Sequence, residues 1–221
     1  MTNKHRPNLL LPLVLTVFML WLLSFAPTIA GGYDSTRYIM FGQSLAGEGR
    51  LAALQVVGEP AVSYQPLLPA LLCPILFLFP DFPANLAPLV LGSSFVLGLL
   101  MLGLLWFYLQ GEPDLRRPQR WWVWLLTATS FVLLPYVNQY VMTEAPYLVL
   151  SLAALILLRR YERTERAAVP SAVVLGLALA GSYYTRAVGS TFILAVGLYL
   201  LLRGFQVRKA ALVSGLAAVL I

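Results

Sequence analysis

Long apolar runs separated by short basic clusters leave this sequence few ways to fold. The runs are residues 9–30, 66–80, 86–109, 121–137, 145–158, 167–184, 187–202 and 210–221. A soluble core cannot absorb so many. Of the 221 residues, 60% are hydrophobic and 11% charged, whereas a soluble domain carries about 25% charged residues. The bilayer is then the solvent, and the class that follows is an all-α polytopic membrane protein. The formal charge of +6 sits in clusters between the runs. That is the pattern of topology determinants and not of a nucleic-acid surface, so no nucleic-acid partner is expected. The single cysteine, Cys73, excludes an intrachain disulfide and a cysteine metal site. His5, the one histidine, reads as a flanking residue of the N-terminal tail. The first run has 22 residues, longer than the roughly 7–15 of a signal-peptide core. It reads as an uncleaved first span.

Charge decides which runs cross. The 66–80 run has 15 residues and contains Pro66, Pro69, Pro74 and Pro80, whereas a straight span needs about 20 residues. Each interior proline also removes a backbone hydrogen bond. If this run crossed, with Lys4 and Arg6 inside, two arginine clusters would face out: Arg116, Arg117 and Arg120, and Arg159, Arg160, Arg163 and Arg166. If it does not cross, twelve of the fifteen Lys and Arg residues are cytoplasmic and Arg37, Arg50 and Arg186 face out. The positive-inside rule selects the second arrangement. It predicts about seven transmembrane helices, a cytoplasmic N-terminus, and an outer segment over 31–85 with interfacial helices. The seventh span, the run 210–221, breaks off at Ile221, so the chain reads as the N-terminal portion of a longer single domain. Trp121, Trp122 and Trp124 beside Arg120 predict an interfacial aromatic belt. Gly92, Gly98, Gly103, Gly176 and Gly181 predict close helix packing.

The same topology gathers polar residues on the outer face. The first loop contributes Asp34, Arg37, Tyr38, Glu48, Arg50, Glu59, Tyr64 and Gln65. Asn138, Gln139, Thr143 and Glu144 come from a second turn, and Tyr183, Tyr184 and Arg186 from a third. Within 35–46, Tyr38, Phe41, Gly42 and Leu45 recur at helical spacing, which predicts an amphipathic helix lying at the interface. Asp34 or Ser35 would cap it. Capping and chemistry are compatible roles for Asp34, since a carboxylate at a helix start is held ionised. Thr143-Glu144-Ala145-Pro146 is likewise a sound helix start. Arg186 has two readings, snorkelling to the interface or pairing with a phosphate or carboxylate.

Several of these segments, taken in order, resemble the C-type glycosyltransferases that use lipid-linked sugars. The closest branch is the bacterial one related to protein mannosyltransferases and lipid A aminoarabinose transferases. The matching pieces are GGYDSTRYIMFGQSLAGEGRL from Gly31, YQPLLPALL from Tyr64, VMTEAPYLVLSLAALILLRRY from Val141, and YYTRAVGSTFILAVGLYLLLRG from Tyr183. The sequence departs from that pattern at Gln65, where a proline would complete the usual pair. Just after the first span it also carries a single acid, Asp34, where eukaryotic protein mannosyltransferases have an acidic pair. The resemblance implies inverting transfer of a sugar from a polyprenyl-phosphate donor to an acceptor hydroxyl on the periplasmic or extracellular face. It implies Asp34 as the base and Arg186 as the clamp on the leaving phosphate. Glu144 would be a second anion orienting the base, the acceptor or a cation. Arg37, Tyr38, Tyr64, Gln65 and Tyr184 would line the substrate site. No cofactor is called for, and a divalent metal bridging Asp34 and the phosphate stays compatible with the acids present.

Two other classes fit the composition. A transporter or lipid flippase would carry ionisable residues near mid-span, whereas here Asp34, Glu144 and Arg186 fall at span ends. A non-catalytic scaffold subunit would use the long outer segment as a docking surface.

Overall fold

The computed structural model describes residues 10–28, 33–51, 65–130, 133–163, 169–203 and 213. Among them the regular structure is helical, with no strand. The helices are α1 (Leu10–Leu23), α2 (Tyr33–Glu48), α3 (Leu67–Leu78), α4 (Leu86–Gln110), α5 (Arg117–Ala128), α6 (Leu133–Asn138), α7 (Glu144–Arg163), α8 (Val169–Thr185) and α9 (Gly189–Leu202). Within α4, residues Leu91–Phe95 form a π-helical turn.

Three contacts fix the directions of the long helices. Near its end, α7 sends Arg159 to the Tyr108 carbonyl at 3.1 Å and to the Glu112 carboxylate, close to the end of α4. So α4 and α7 run parallel. Arg186, just past α8, meets Glu144 at the start of α7, so α8 runs back. The Tyr199 hydroxyl, near the end of α9, donates to Glu162 at 2.7 Å. The described charged side chains of these helices therefore sit at two opposite ends, one marked by Glu144 and the other by Arg159.

The apolar interior falls into three clusters. One joins α7, α8 and α9 through Ala154, Leu158, Leu175, Leu179, Ile193 and Leu200. A second joins α1, α4 and α5 through Val17, Trp21, Phe95, Met101 and Trp124. The third packs α2 on α3 and on the start of α4, through Tyr38, Ile39, Leu68, Leu72, Leu76 and Leu89. Outside these clusters many large apolar side chains remain exposed. The helix α9 buries Ile193, Val196 and Leu200, yet its open side shows Leu194 (72% exposed), Leu198 and Leu202. A helix apolar on all sides is expected inside a core or in a bilayer.

Among the described residues one helix, α4, with 25 residues, is long and apolar enough to cross a membrane. The run 66–80 becomes α3, whose 12 residues extend about 18 Å at 1.5 Å each. That is shorter than the roughly 30 Å hydrocarbon core.

Four local expectations need correction. The run 121–137, read as one span, is two helices broken after Ala128. The Trp21 indole donates to the Ala128 carbonyl at 2.7 Å, taking an acceptor that a longer helix would have used. Ser130 then restarts the chain, its hydroxyl accepting from the Leu133 amide at 3.4 Å in the manner of an N-cap. The tryptophan belt is divided. Trp122 is exposed, but Trp124 is buried and donates to the Leu102 carbonyl at 3.0 Å, with the Trp121 ring between Trp106 and Trp124. Gly103 is not a packing point, since a methyl there would meet nothing within 4 Å; Gly92 is one, with Ile75 Cδ1 2.6 Å from where its Cβ would stand. The apolar face of α2 does not lie open at an interface either, because α3 covers it. The end of α2 is as the Gly47-Glu48-Gly49 sequence suggests. Gly49 takes φ +68°, and its amide donates to the Leu45 carbonyl at 3.1 Å.

Asn138 ties α6 to α1. It is fully buried, and its side-chain amide donates to the Trp21 carbonyl at 3.3 Å and to the Ser24 hydroxyl. The Trp21 carbonyl belongs to the last turn of α1, where helical partners run out. Replacing Asn138 by Ala should destabilise the fold by about 1–3 kcal/mol, the usual cost of stripping partners from buried polar groups. Thermal unfolding in detergent reads this, and an unchanged midpoint would show the tie to be idle.

Candidate functional site

The Glu144 end is built around a short non-helical segment, residues 139–143, between α6 and α7. The segment is held from three sides, twice at its backbone and once at a side chain. The Thr28 amide donates to the Gln139 carbonyl at 2.8 Å. Ser94, in the π turn of α4, donates to the Tyr140 carbonyl at 2.7 Å. Ser35, in the first turn of α2, donates to the Met142 sulfur at 3.3 Å. Val141 is buried in the cluster that holds α2 on α3. Thus the loop after α1, the π turn and the start of α2 all converge on the strip that leads into Glu144.

The π turn explains one of these contacts. An extra residue in a helical turn swings side chains out of the regular register. Ser93 Oγ donates back to the Leu89 carbonyl at 2.7 Å, while Ser94 reaches across to Tyr140.

Glu144 is the first residue of α7, where the positive helix end favours a carboxylate. Arg186 follows the last residue of α8, where the negative end favours a cation. The two side chains form an ion pair, Arg186 Nη1 donating to Glu144 Oε1. Arg186 is 40% exposed and Glu144 25%. A pair this open contributes little to stability, about 1 kcal/mol or less. Glu144 Oε2 differs: it is buried and has no donor among the described residues. An unpaired carboxylate oxygen out of water is costly unless something supplies a donor.

The turn that carries Arg186 is tight. The Arg186 amide donates to the Ser182 carbonyl at 3.1 Å, and the Gly189 amide to the Arg186 carbonyl at 2.8 Å. A Cβ on Gly189 would stand 2.5 Å from the Tyr183 nitrogen. Only a glycine lets α9 start so close to the end of α8, and that closeness fixes where Arg186 leaves the backbone.

The other sequence-derived candidates distribute unevenly. The helix α2 starts at Tyr33, so Asp34 stands inside its first turn and is not the N-cap. Its backbone is adjacent to Ser35, hence near the 139–143 strip; its side chain lies outside the described set. Arg37 is exposed on α2. Tyr38 is 6% exposed and belongs to the apolar cluster, a position that suits packing more than open contact with a ligand. Gln65 is half-buried just before α3. Tyr64 lies outside the described residues. Tyr184 is half-buried, its ring 5.7 Å from that of Tyr183 in an edge-on arrangement. Among the described residues no group of three or more His, Cys, Asp or Glu side chains comes together.

Sequence reasoning gave Ser35 only a capping role and passed over Ser94 and Met142. The Ser93-Ser94 pair inside an apolar run is a signal for Ser94, since hydroxyls in a greasy helix need acceptors. Nothing in the sequence announces the thioether of Met142 as an acceptor. Comparison with family models, with curated proteins and with solved structures finds no match.

Proposed function

We propose that this protein is a membrane glycosyltransferase that moves a sugar from a polyprenyl-phosphate donor to an acceptor hydroxyl, with inversion. The reading takes the Glu144 end as the periplasmic or extracellular face and the Arg159 end as cytoplasmic. It keeps about seven crossings, the one over 121–137 being a broken crossing made of α5 and α6. Broken helices are tolerated at membrane depth where protein buries the loose backbone groups, and Trp21 and Asn138 serve that purpose here.

The observation that carries the proposal is the Glu144–Arg186 pair, set at the same end as the first turn of α2. Arg186 has five N–H donors in a planar fork. One engages Glu144, and the partly exposed head retains others for a phosphate. In the proposed step the acceptor oxygen attacks the anomeric carbon while its proton passes to the Asp34 carboxylate. The bond from that carbon to the donor phosphate oxygen breaks with both electrons on oxygen. The polyprenyl phosphate leaves as an anion that needs no proton, and Arg186 offsets its growing charge. Glu144 holds Arg186 in place, and its buried Oε2 suits a donor hydroxyl of the sugar.

The test uses the full chain in proteoliposomes with radiolabelled polyprenyl-phosphate mannose, glucose or aminoarabinose. One of the three should be consumed saturably, with release of free polyprenyl phosphate. Inertness toward all three, in vesicles shown to contain folded protein, would count against the reading.

A further inference from the structure

A slot opens where α1, α4 and α5 meet, with a volume of about 300 Å³. Val17, Trp21 and Trp124 form its buried side, and Val14, Phe18 and Gly103 its exposed rim. Along α4 it runs from Leu99 to Trp106, two helical turns or about 10 Å. That places it in the half of α4 nearer Gln110 and the Arg159 end. Gly103 keeps it open. A methyl there would meet nothing within 4 Å, a space that close-packed helices normally fill.

The polar inventory of the slot is small and one-sided. Four indoles line it. Trp21 donates to the Ala128 carbonyl at 2.7 Å and Trp124 to the Leu102 carbonyl at 3.0 Å. Trp106 and Trp121 lie at the end nearer Gln110, half-buried, with ring centres 4.1 Å apart. Their N–H groups have no acceptor among the described residues. The slot therefore offers apolar walls, two open hydrogen-bond donors and no charged side chain.

Size and chemistry narrow the occupant. About 300 Å³ spread over about 10 Å leaves a mean section of roughly 30 Å². An α-helix, about 10–12 Å across with its side chains, cannot enter. One hydrocarbon chain can. Apolar cavities stay dry and accept apolar guests. Among the described helices α4 is the one long and apolar enough to cross a membrane. On the membrane reading the rim of the slot then opens on lipid, and Trp106 stands near the interface that tryptophans favour.

We propose that the slot holds one acyl chain of a glycerolipid from the leaflet at the Arg159 end. The ester carbonyl accepts from Trp106 or Trp121, and the chain runs past Gly103 toward Trp21. A prenyl chain could fill the same walls but brings no carbonyl to the two indoles. The inference rests on the membrane part of the reading above and is independent of sugar transfer.

The experiment exploits the tryptophans. The sequence has five, and Trp122, exposed on α5, is the one that does not line the slot. In the full chain carrying Trp122→Phe, every indole therefore reports on the slot. Reconstituted in phosphatidylcholine brominated at mid-chain, this protein should lose most of its tryptophan fluorescence. Gly103→Leu in the same background should restore most of it, because the leucine fills the slot. Replacing a glycine inside a helix also favours the helix, so the variant should fold. In detergent, native mass spectrometry should show ester-linked phosphatidylcholine retained over its ether-linked counterpart by roughly two- to tenfold, the effect of one net hydrogen bond. Trp106→Phe combined with Trp121→Phe should erase that preference. Equal quenching with and without Gly103→Leu would overturn the proposal, and so would equal retention of ester and ether lipids. Displacement of the lipid by polyprenyl phosphate would also overturn it, by giving the slot to a prenyl tail. A dimer that Gly103→Leu dissociates would do the same, by seating a second copy there. Release of the chain from membranes by alkaline washing would instead overturn the membrane reading. Consumption of the sugar donor should be the same in Gly103→Leu as in the unaltered protein.

Discussion

Replacing Asp34 by Asn is expected to lower sugar transfer by about 10²–10⁴-fold, the range that a positioned proton acceptor contributes. The change keeps size and shape and removes the basic oxygen. Asn is also accepted near helix starts, so α2 should form as before and still pack Tyr38 and Ile39 on α3. Three readings on one sample decide the matter: insertion, thermal midpoint and rate. A lost rate with an unchanged midpoint supports Asp34 as the base. A rate within a few-fold of the unaltered protein would remove it from that role. A loss of both would assign Asp34 to the first turn of α2, where a carboxylate at the positive end contributes about 0.3–1 kcal/mol.

Arg186→Ala carries the second large effect. Removing a preorganised donor from a developing anion typically costs about 10²–10³ in rate, and the donor lipid should also bind more weakly. The effect on stability should be small, since the ion pair with Glu144 is partly open to solvent. That contrast makes the variant informative. A cation whose sole task was to pair Glu144 would leave donor use intact on replacement. Arg186→Lys keeps the charge but loses the planar fork, so it should recover a minor part of the rate. Crossing Arg186→Ala with Glu144→Gln then apportions the roles. If Glu144 acts by holding Arg186, the double variant should be about as slow as Arg186→Ala alone. Multiplicative losses would mean that Glu144 acts on the substrate independently.

Much of the fold was legible because it rests on local pattern. The buried face of α2 follows from Tyr38, Phe41 and Gly42 recurring at helical spacing. The start of α7 follows from Glu144 with its nearby proline. Distant partners were not legible. The break after Ala128 is closed by an indole 107 residues away in sequence, and Ser130 is the one local hint of it used by the fold. Trp124 has the neighbours of an interfacial tryptophan, so its burial depended on where α4 would lie. Gly103 and Gly92 look alike in sequence; whether a helix packs there is a property of the neighbour. At the candidate site, charge counting placed Glu144 and Arg186 on one face. It left open whether Arg186 would meet a carboxylate or a phosphate, because that choice turns on a distance and a sequence holds none.

The stitching of α1 to the middle of the chain has a consequence for biogenesis. Trp21 and Ser24 leave the ribosome first, but their partners Ala128 and Asn138 are made 107 and 114 to 117 residues later. At a synthesis rate of about 5–20 residues per second that is an interval of roughly 5 to 23 s. During it the N–H of Trp21 and the frayed end of α1 lack their final acceptors and donors. On the proposed membrane reading the first helix waits, sheltered by the insertion machinery or by water at the membrane edge, until α5 and α6 arrive to close it. Synthesis stalled before residue 128 would leave the earliest-made part of the protein the least finished.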